Sequence, residues 1–187
     1  MTEKSQYIQY IILEKANRLI YTKGYNSTSL ADVATAAGIT KGNLHYHYRS
    51  KDELLNAVIA QRKKNIIDQL AQWQHQLPDA KDKLRRFTQM LLNEKSELIR
   101  YGCPMGSLNQ ELGKNQAQLK SLAVEMFDLF QVWLENAFKQ LALKNAKSLS
   151  LHLLSMAQGA VIMSYVYENP QLLEDEVNNI NRWIDAL

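Results

Sequence analysis

Thr40, Lys41, Asn43, His45, Tyr46 and His47 crowd hydrogen-bonding, cationic and aromatic side chains into one short stretch that does not need them for solubility. The chemistry open to them is recognition rather than bond breaking. An Asn amide can make paired hydrogen bonds to adenine, and a Lys can reach guanine or a phosphate. Tyr and Thr hydroxyls suit phosphate oxygens, which hold a protein in register without specifying sequence. Gly42 lowers helix propensity in their midst and fits close approach of the backbone to a nucleic acid. Upstream, Thr28 and Ser29 can each accept a hydrogen bond from an orphan first-turn N–H. Downstream, Ser50-Lys51-Asp52-Glu53 reads as a capping box, whose free amides and Lys51 make a ready phosphate site.

The elements that must position these groups are legible from spacing. Leu30, Val33, Ala34 and Ala37 repeat at helical period and form one apolar stripe, so a helix is expected from Thr28 or Ser29. Gly38 can take the positive φ that ends a helix in a tight turn. Ile39 and Leu44 can plug the core between two helices, and Thr40 can cap a short one from about Lys41 to Tyr46. Ala34, a glycine four residues on and an apolar residue six further on make the packing pattern of a helix-turn-helix. Ahead of it, Ile8, Ile11, Ile12, Ala16, Leu19 and Ile20 form the apolar face of a first helix that Gly24 ends.

With 187 residues the chain can build a sizeable core. Its net charge is +3, unevenly placed: residues 1–64 carry ten Lys and Arg against five Asp and Glu, the remainder twelve against fourteen. A basic N-terminal third suits a polyanion, and a near-neutral remainder suits dimerisation and ligand binding. The one cysteine permits no intrachain disulfide and fits a reducing cytoplasm. The first residues hold no signal-type apolar stretch. No membrane span is expected, because the longest apolar candidate, Leu153 to Tyr167, is interrupted by Ser155, Gln158, Gly159 and Ser164.

Every segment reads as helix, so the expected class is all-α with about nine helices. The fourth runs from Ser50 to about Gln76, stopped by Pro78. Asp79 can cap a fifth that reaches Tyr101, and Pro104 opens a sixth ending near Gly113. Asn115 with Gln118 can cap a seventh to about Leu143. An eighth spans Ala146 to Tyr167, and Pro170 opens the ninth. The expected division is a helix-turn-helix domain over 1–50, a connecting helix over 51–76 and an effector-binding and dimerisation domain over 77–187.

The N-terminal 60 residues resemble the TetR/AcrR family of transcriptional regulators. The matching residues are Gly24-Tyr25, Thr28-Ser29, Leu30-x-x-Val33-Ala34, Ala37-Gly38-Ile39-Thr40-Lys41-Gly42, Leu44-x-x-His47-Tyr48 and Lys51-x-x-Leu54. The resemblance implies a bacterial, cytoplasmic, all-helical homodimer with an N-terminal DNA-binding domain and a C-terminal ligand-binding and dimerisation domain. It implies a repressor that a small molecule, of unknown identity here, releases from a palindromic operator in double-stranded DNA. It places phosphate contacts at Thr28, Tyr46, His47 and Lys51, and base-facing positions at Thr40, Lys41, Asn43 and His45. The family often has Tyr directly after the recognition-helix Leu, where this chain has His45.

Beyond that motif the sequence offers candidates with two readings each. Ser148, Ser155, Gly159 and Ala160 put small residues on part of the eighth helix, where another helix could approach closely. Leu172, Leu173, Val177, Ile180, Trp183 and Ile184 stripe the last one. Together they read as a four-helix dimer interface or as an intrachain core. Cys103, directly before Pro104, lies at a helix N-terminus that favours a thiolate. It reads as a redox or electrophile sensor or as a packing and capping residue. Phe87, Met90, Leu91, Met126, Phe127, Phe130, Trp133, Met156 and Met163 suit an apolar or aromatic effector, and suit ordinary core packing equally.

Catalysis, cofactor binding and metal binding find no support. There is no phosphate-cradling Gly loop and no nucleophile–base pair. His45 and His47, two apart, point to different sides of a helix, and His75 and His152 are isolated. A DNA-bound accessory factor of the same fold, acting through a protein partner, is the alternative from a different functional class.

Overall fold

The computed structural model describes residues 3–112 and 116–187. Ten α-helices and no strand occur among them: α1 (Glu3–Lys23), α2 (Leu30–Ala36), α3 (Lys41–His47), α4 (Lys51–Gln76), α5 (Ala80–Asn93), α6 (Lys95–Tyr101), α7 (Pro104–Leu112), α8 (Ala117–Gln140), α9 (Ala146–Val166) and α10 (Pro170–Asp185). The class is all-α, as expected. The expected single helix from Asp79 to Tyr101 is instead broken at Glu94, whose backbone leaves the helical region (φ −99°, ψ 9°) and ends α5 while starting α6. The proposed Asn115 cap and the helix end near Gly113 lie outside the described residues.

The chain forms two compact units that are not contiguous in sequence: residues up to 64 with 107–124, and residues 65–106 with 125–187. The first unit therefore recruits most of α7 and the start of α8, beyond the boundary expected at residue 77. Its core joins Ile12, Ala16 and Ile20 of α1 to Val33, Ala34, Leu44, Leu54, Leu55, Val58 and Ile59, all almost fully buried. Burying each Ile, Leu or Val of this row supplies roughly 1.5–3 kcal/mol before entropy is charged against it. Polar ties add orientation. Arg62 Nε donates to Asn17 Oδ1 at 2.6 Å, and Gln9 donates to the hydroxyl of buried Tyr48 at 3.2 Å.

In the second unit α10 packs on α5 and α9, and α6 on α9. Its core runs through Leu84, Phe87, Leu91, Phe130, Leu134, Phe138, Leu153, Ala157, Val161, Leu173, Val177, Ile180 and Ile184. Asn169 caps α10 by accepting the Gln171 N–H, with Pro170 in the first turn. Helix α9 is long and apolar enough by length and composition alone to cross a bilayer. Ser155, Gln158, Gly159 and Ser164 interrupt its apolar run. Here α9 serves as a wall of the helical core, with Leu153, Leu154, Ala157, Ala160, Val161 and Ser164 buried.

Candidate nucleic-acid interface

Local chemistry builds the interface in chain order. Gly24 ends α1 at φ +88°, and a Cβ there would lie 2.8 Å from the Glu111 carboxylate. The turn that follows is held from both sides. The Asn26 N–H donates to Glu111 Oε2 at 2.9 Å, and Lys51 Nζ donates to the Asn26 carbonyl at 3.2 Å. Tyr25 is buried, donates to Asp52, and supports Lys51 with its ring, the ammonium lying 4.2 Å from the centroid. Burial first, and the Asp52 carboxylate second, push the Tyr25 hydroxyl pKa well above its ordinary value.

Ser29 then caps α2 with a complete capping box. Its Oγ accepts the Asp32 N–H at 3.1 Å, while its own N–H donates to Asp32 Oδ2 at 2.8 Å. The Ser29 hydroxyl and N–H hold the Asp32 carboxyl below its usual range. Helix α2 ends in a Schellman motif: the Gly38 N–H bonds Thr35 O at 3.1 Å and the Ile39 N–H bonds Ala34 O at 3.0 Å. Gly38 sits at φ +66° with open space where its Cβ would be, so glycine is required there by conformation and not by room. Thr40 caps α3 by accepting the Asn43 N–H at 3.2 Å, and Leu44 anchors that helix with no exposed surface.

Helix α3 is consequently fixed by one buried residue and presents the rest. Lys41, Gly42, His45 and Tyr46 are exposed, Tyr46 to 80%, and Asn43 and His47 are half-buried. Tyr46 and His47 meet edge to face at 5.2 Å. Ser50 caps α4 by accepting the Glu53 N–H at 3.0 Å, but Glu53 reaches back to the Arg49 N–H at 2.8 Å instead of the Ser50 N–H of a full capping box. A cleft of about 500 Å³ lies between these pieces, lined by residues 26–31 with Lys41, Leu44, His45 and Lys51.

The sequence-derived candidates are not all equally presented. Thr28 is 3% exposed and its hydroxyl hydrogen is committed to Gly24 O at 2.7 Å. The Ser29 hydroxyl is engaged with Asp32. What α2 can still donate to an anion is the Leu30 and Ala31 amides of its first turn, which a helix leaves without an intrahelical partner, since the Asp32 N–H is taken by Ser29. Lys51 spends one of its three hydrogens on Asn26 and keeps two. Sequence reasoning passed over Asn26, which lines the cleft, and Tyr7 and Tyr10, 66% and 64% exposed on α1. Their only signal was that they fall off the Ile8-Ile11-Ile12 stripe.

In the second unit, Val177, Ile180 and Ile184 face inward with at most 1% exposure, and Trp183 is half-buried edge-on to His152. The α10 stripe is therefore intrachain core, and its outward side carries Asp175, Asn178, Asn179, Arg182 and Asp185. The exposed apolar row is on α9, where Leu151, Ile162 and Val166 flank exposed Ser155 and Gly159. Phe87 and Phe130 are buried and pack on each other with centroids 5.7 Å apart. Met126 is fully buried, and Met90, Phe127 and Met156 half-buried. Cys103 is also buried; its sulfur accepts the Gly106 N–H at 3.4 Å, which caps α7. Among the described residues no group of three or more His, Cys, Asp or Glu could hold a metal ion.

Known proteins share both the motif and the architecture. The family model for bacterial regulatory proteins of the tetR family matches residues 12–58. An uncharacterised helix-turn-helix transcriptional regulator encoded in the lacX 3' region of Lactococcus lactis subsp. lactis is 28% identical over 175 residues, covering 87% of this chain and 86% of that one. The helix-turn-helix regulator TtgR of Pseudomonas putida is 39% identical over 57 residues, 30% of this chain and 27% of that protein. The crystal structure of a TetR transcriptional regulator from Legionella pneumophila superposes with a TM-score of 0.83 at 26% identity, covering 100% of this chain and 97% of that one. With α2 and α3 forming the helix-turn-helix inside the matched region, the chain belongs to the TetR/AcrR family of DNA-binding transcriptional regulators and is not an enzyme.

Proposed function

We propose that this chain is a homodimeric repressor, acting in a bacterial cytoplasm, that binds a palindromic operator and leaves it when a small molecule binds or Cys103 is modified. The observation that carries the reading is α3: one buried anchor, Leu44, and an outward face of Lys41, Asn43, His45 and Tyr46 beside the capped starts of α2 and α4. In this reading Lys41, Asn43 and His45 meet base edges, with Thr40 and Gly42 at the close approach. Tyr46, His47, Lys51 and the first-turn amides of α2, set by Thr28 and Ser29, grip phosphates. One such helix covers only a few base pairs, so two are needed, about 34–36 Å apart on one DNA face.

The exposed α9 row supports the dimer. Leu151, Ser155, Gly159, Ile162 and Val166 recur at one- and two-turn spacing, and the small members allow close helix approach. Release follows from coupling: an effector that binds the DNA-free arrangement better must lower DNA affinity by the same factor. Helix α4 contributes residues to both units and is the route for that change. The burial and capping contact of Cys103 favour a non-covalent effector over thiol chemistry.

Selection from a random duplex library tests the reading, followed by titration of the selected duplex with and without a mild thiol electrophile on wild type and Cys103→Ser. An enriched palindrome is expected, with binding unaffected by the electrophile. Loss of binding only in treated wild type would assign the trigger to Cys103. No enriched sequence would move the chain to the accessory-factor class.

A further inference from the structure

We propose that the second unit holds an organic anion with an apolar body, bound at Lys83 and Arg86 of α5 against Trp73 and Trp133. Lys83 and Arg86 stand three residues apart, on one side of α5. Lys83 is 2% exposed, and its ammonium has a neutral partner, the Gln140 carbonyl oxygen at 2.9 Å. The Arg86 guanidinium lies over the Trp73 ring, 4.5 Å from its centroid, and its Nη1 is buried with no hydrogen-bond partner. The Trp133 indole N–H is likewise buried and unpartnered, and its ring meets Trp73 edge to face at 5.7 Å. Trp133 and Gln140 lie two turns apart on one side of α8.

Three groups of one neighbourhood, the Lys83 ammonium, the Arg86 guanidinium and the Trp133 indole N–H, thus share one deficit: they donate, and among the described residues no anionic group accepts from them. The ion pairs described in this unit engage Arg85 with Asp82 and Asp185, Lys95 with Glu174 and Lys139 with Glu135, and leave Lys83 and Arg86 aside. A buried cation without a counter-charge is unfavourable, and so is a buried donor without an acceptor. A water molecule could satisfy the indole but would not neutralise two cations. A carboxylate, phosphate or sulfonate oxygen does both, and two indole rings beside it suit a flat or aliphatic body. Gln140 is an exposed residue, so its amide can swing off Lys83 and uncover the ammonium. That this anion is the effector rests on the ligand-responsive function proposed above; the binding site itself does not.

The test uses the full chain and two matched probe pairs at constant ionic strength: benzoate with benzamide, and decanoate with decanamide. Both acids are expected to raise the unfolding midpoint and shift tryptophan emission, and the neutral amides to do neither. Arg86→Gln should weaken the acid response at least about ten-fold. Lys83→Met should abolish it, and should leave the midpoint of the free protein unchanged or higher, because it removes an uncompensated buried charge. Equal responses to acids and amides, no response to either acid, or an undiminished acid response in both variants would overturn the site. The same acids are then added to the protein on its selected duplex. DNA release in wild type but not in Arg86→Gln supports the anion as effector. Acid binding that leaves DNA affinity unchanged keeps the site and removes it from the release mechanism.

Discussion

Glu111 and Lys51 grip the two ends of one residue: the carboxylate takes the Asn26 N–H at 2.9 Å and the ammonium gives to its carbonyl at 3.2 Å. These contacts, 85 and 25 residues apart in sequence, fix the turn that leads into α2. The Lys51 ammonium that is proposed to meet phosphate is therefore positioned by the same turn that Glu111 clamps. Glu111→Ala should leave the fold intact, since Asn26 is exposed and water can replace the carboxylate. It should weaken binding to the selected duplex several-fold. Unchanged affinity would show that the clamp does not position the interface.

Gly24 offers a second reading of that clamp. Gly24→Ala meets both a positive φ and the Glu111 carboxylate 2.8 Å from the new Cβ. The backbone part alone costs about 1–2 kcal/mol. Combining Gly24→Ala with Glu111→Ala should recover the steric part only, leaving the double variant less stable than Glu111→Ala by that amount. Denaturant unfolding of the four proteins measures it, and strict additivity would deny the contact.

Gly38→Ala separates conformation from space, because nothing lies within 4 Å of the added atom. A loss of about 1–2 kcal/mol is expected from the left-handed backbone alone. No loss in chemical denaturation would mean that the α2–α3 turn is not held in that conformation.

Ile162→Glu places a charge on the exposed row of α9, where the side chain is 46% exposed and contributes little to its own chain's core. Sedimentation should report monomers with an unchanged unfolding midpoint at low concentration. A persisting dimer would move the interface elsewhere. The loss of paired recognition helices should also lower DNA affinity at least about ten-fold.

Lys51→Ala should weaken binding to all duplexes alike and flatten the dependence of log K on log salt by about one. An unchanged slope would remove Lys51 from the phosphate contacts.

The helix-turn-helix was legible because each of its decisions is local. Ser29, Gly38, Thr40 and Leu44 sit where capping, a positive φ and a buried anchor are needed, and each signal lies within a few residues of its effect. The Glu111–Asn26 contact was not legible, since no local rule links residues 85 apart. The break at Glu94 carries no Gly or Pro to announce it. On α10 the apolar stripe of Val177, Ile180 and Ile184 identified a buried face but not what buries it, and the answer is the chain itself. Thr28 shows the same limit at one hydroxyl, which a capping or phosphate role would use and which Gly24 O takes. The Lys83–Arg86 face escaped notice because two cations on a helix read as solvated surface until the burial of Lys83 and of the Arg86 Nη1 is seen.

The most direct test of α3 as the reading element is parallel selection of duplexes by wild type and Asn43→Ala from one random library. Asn43 is half-buried at the start of α3 with its backbone N–H already spent on Thr40, so the substitution spares the cap and removes only the amide. The account predicts a palindrome for wild type, and for the variant the same palindrome with preference relaxed at one symmetry-related pair of positions. An identical motif from both proteins would contradict it.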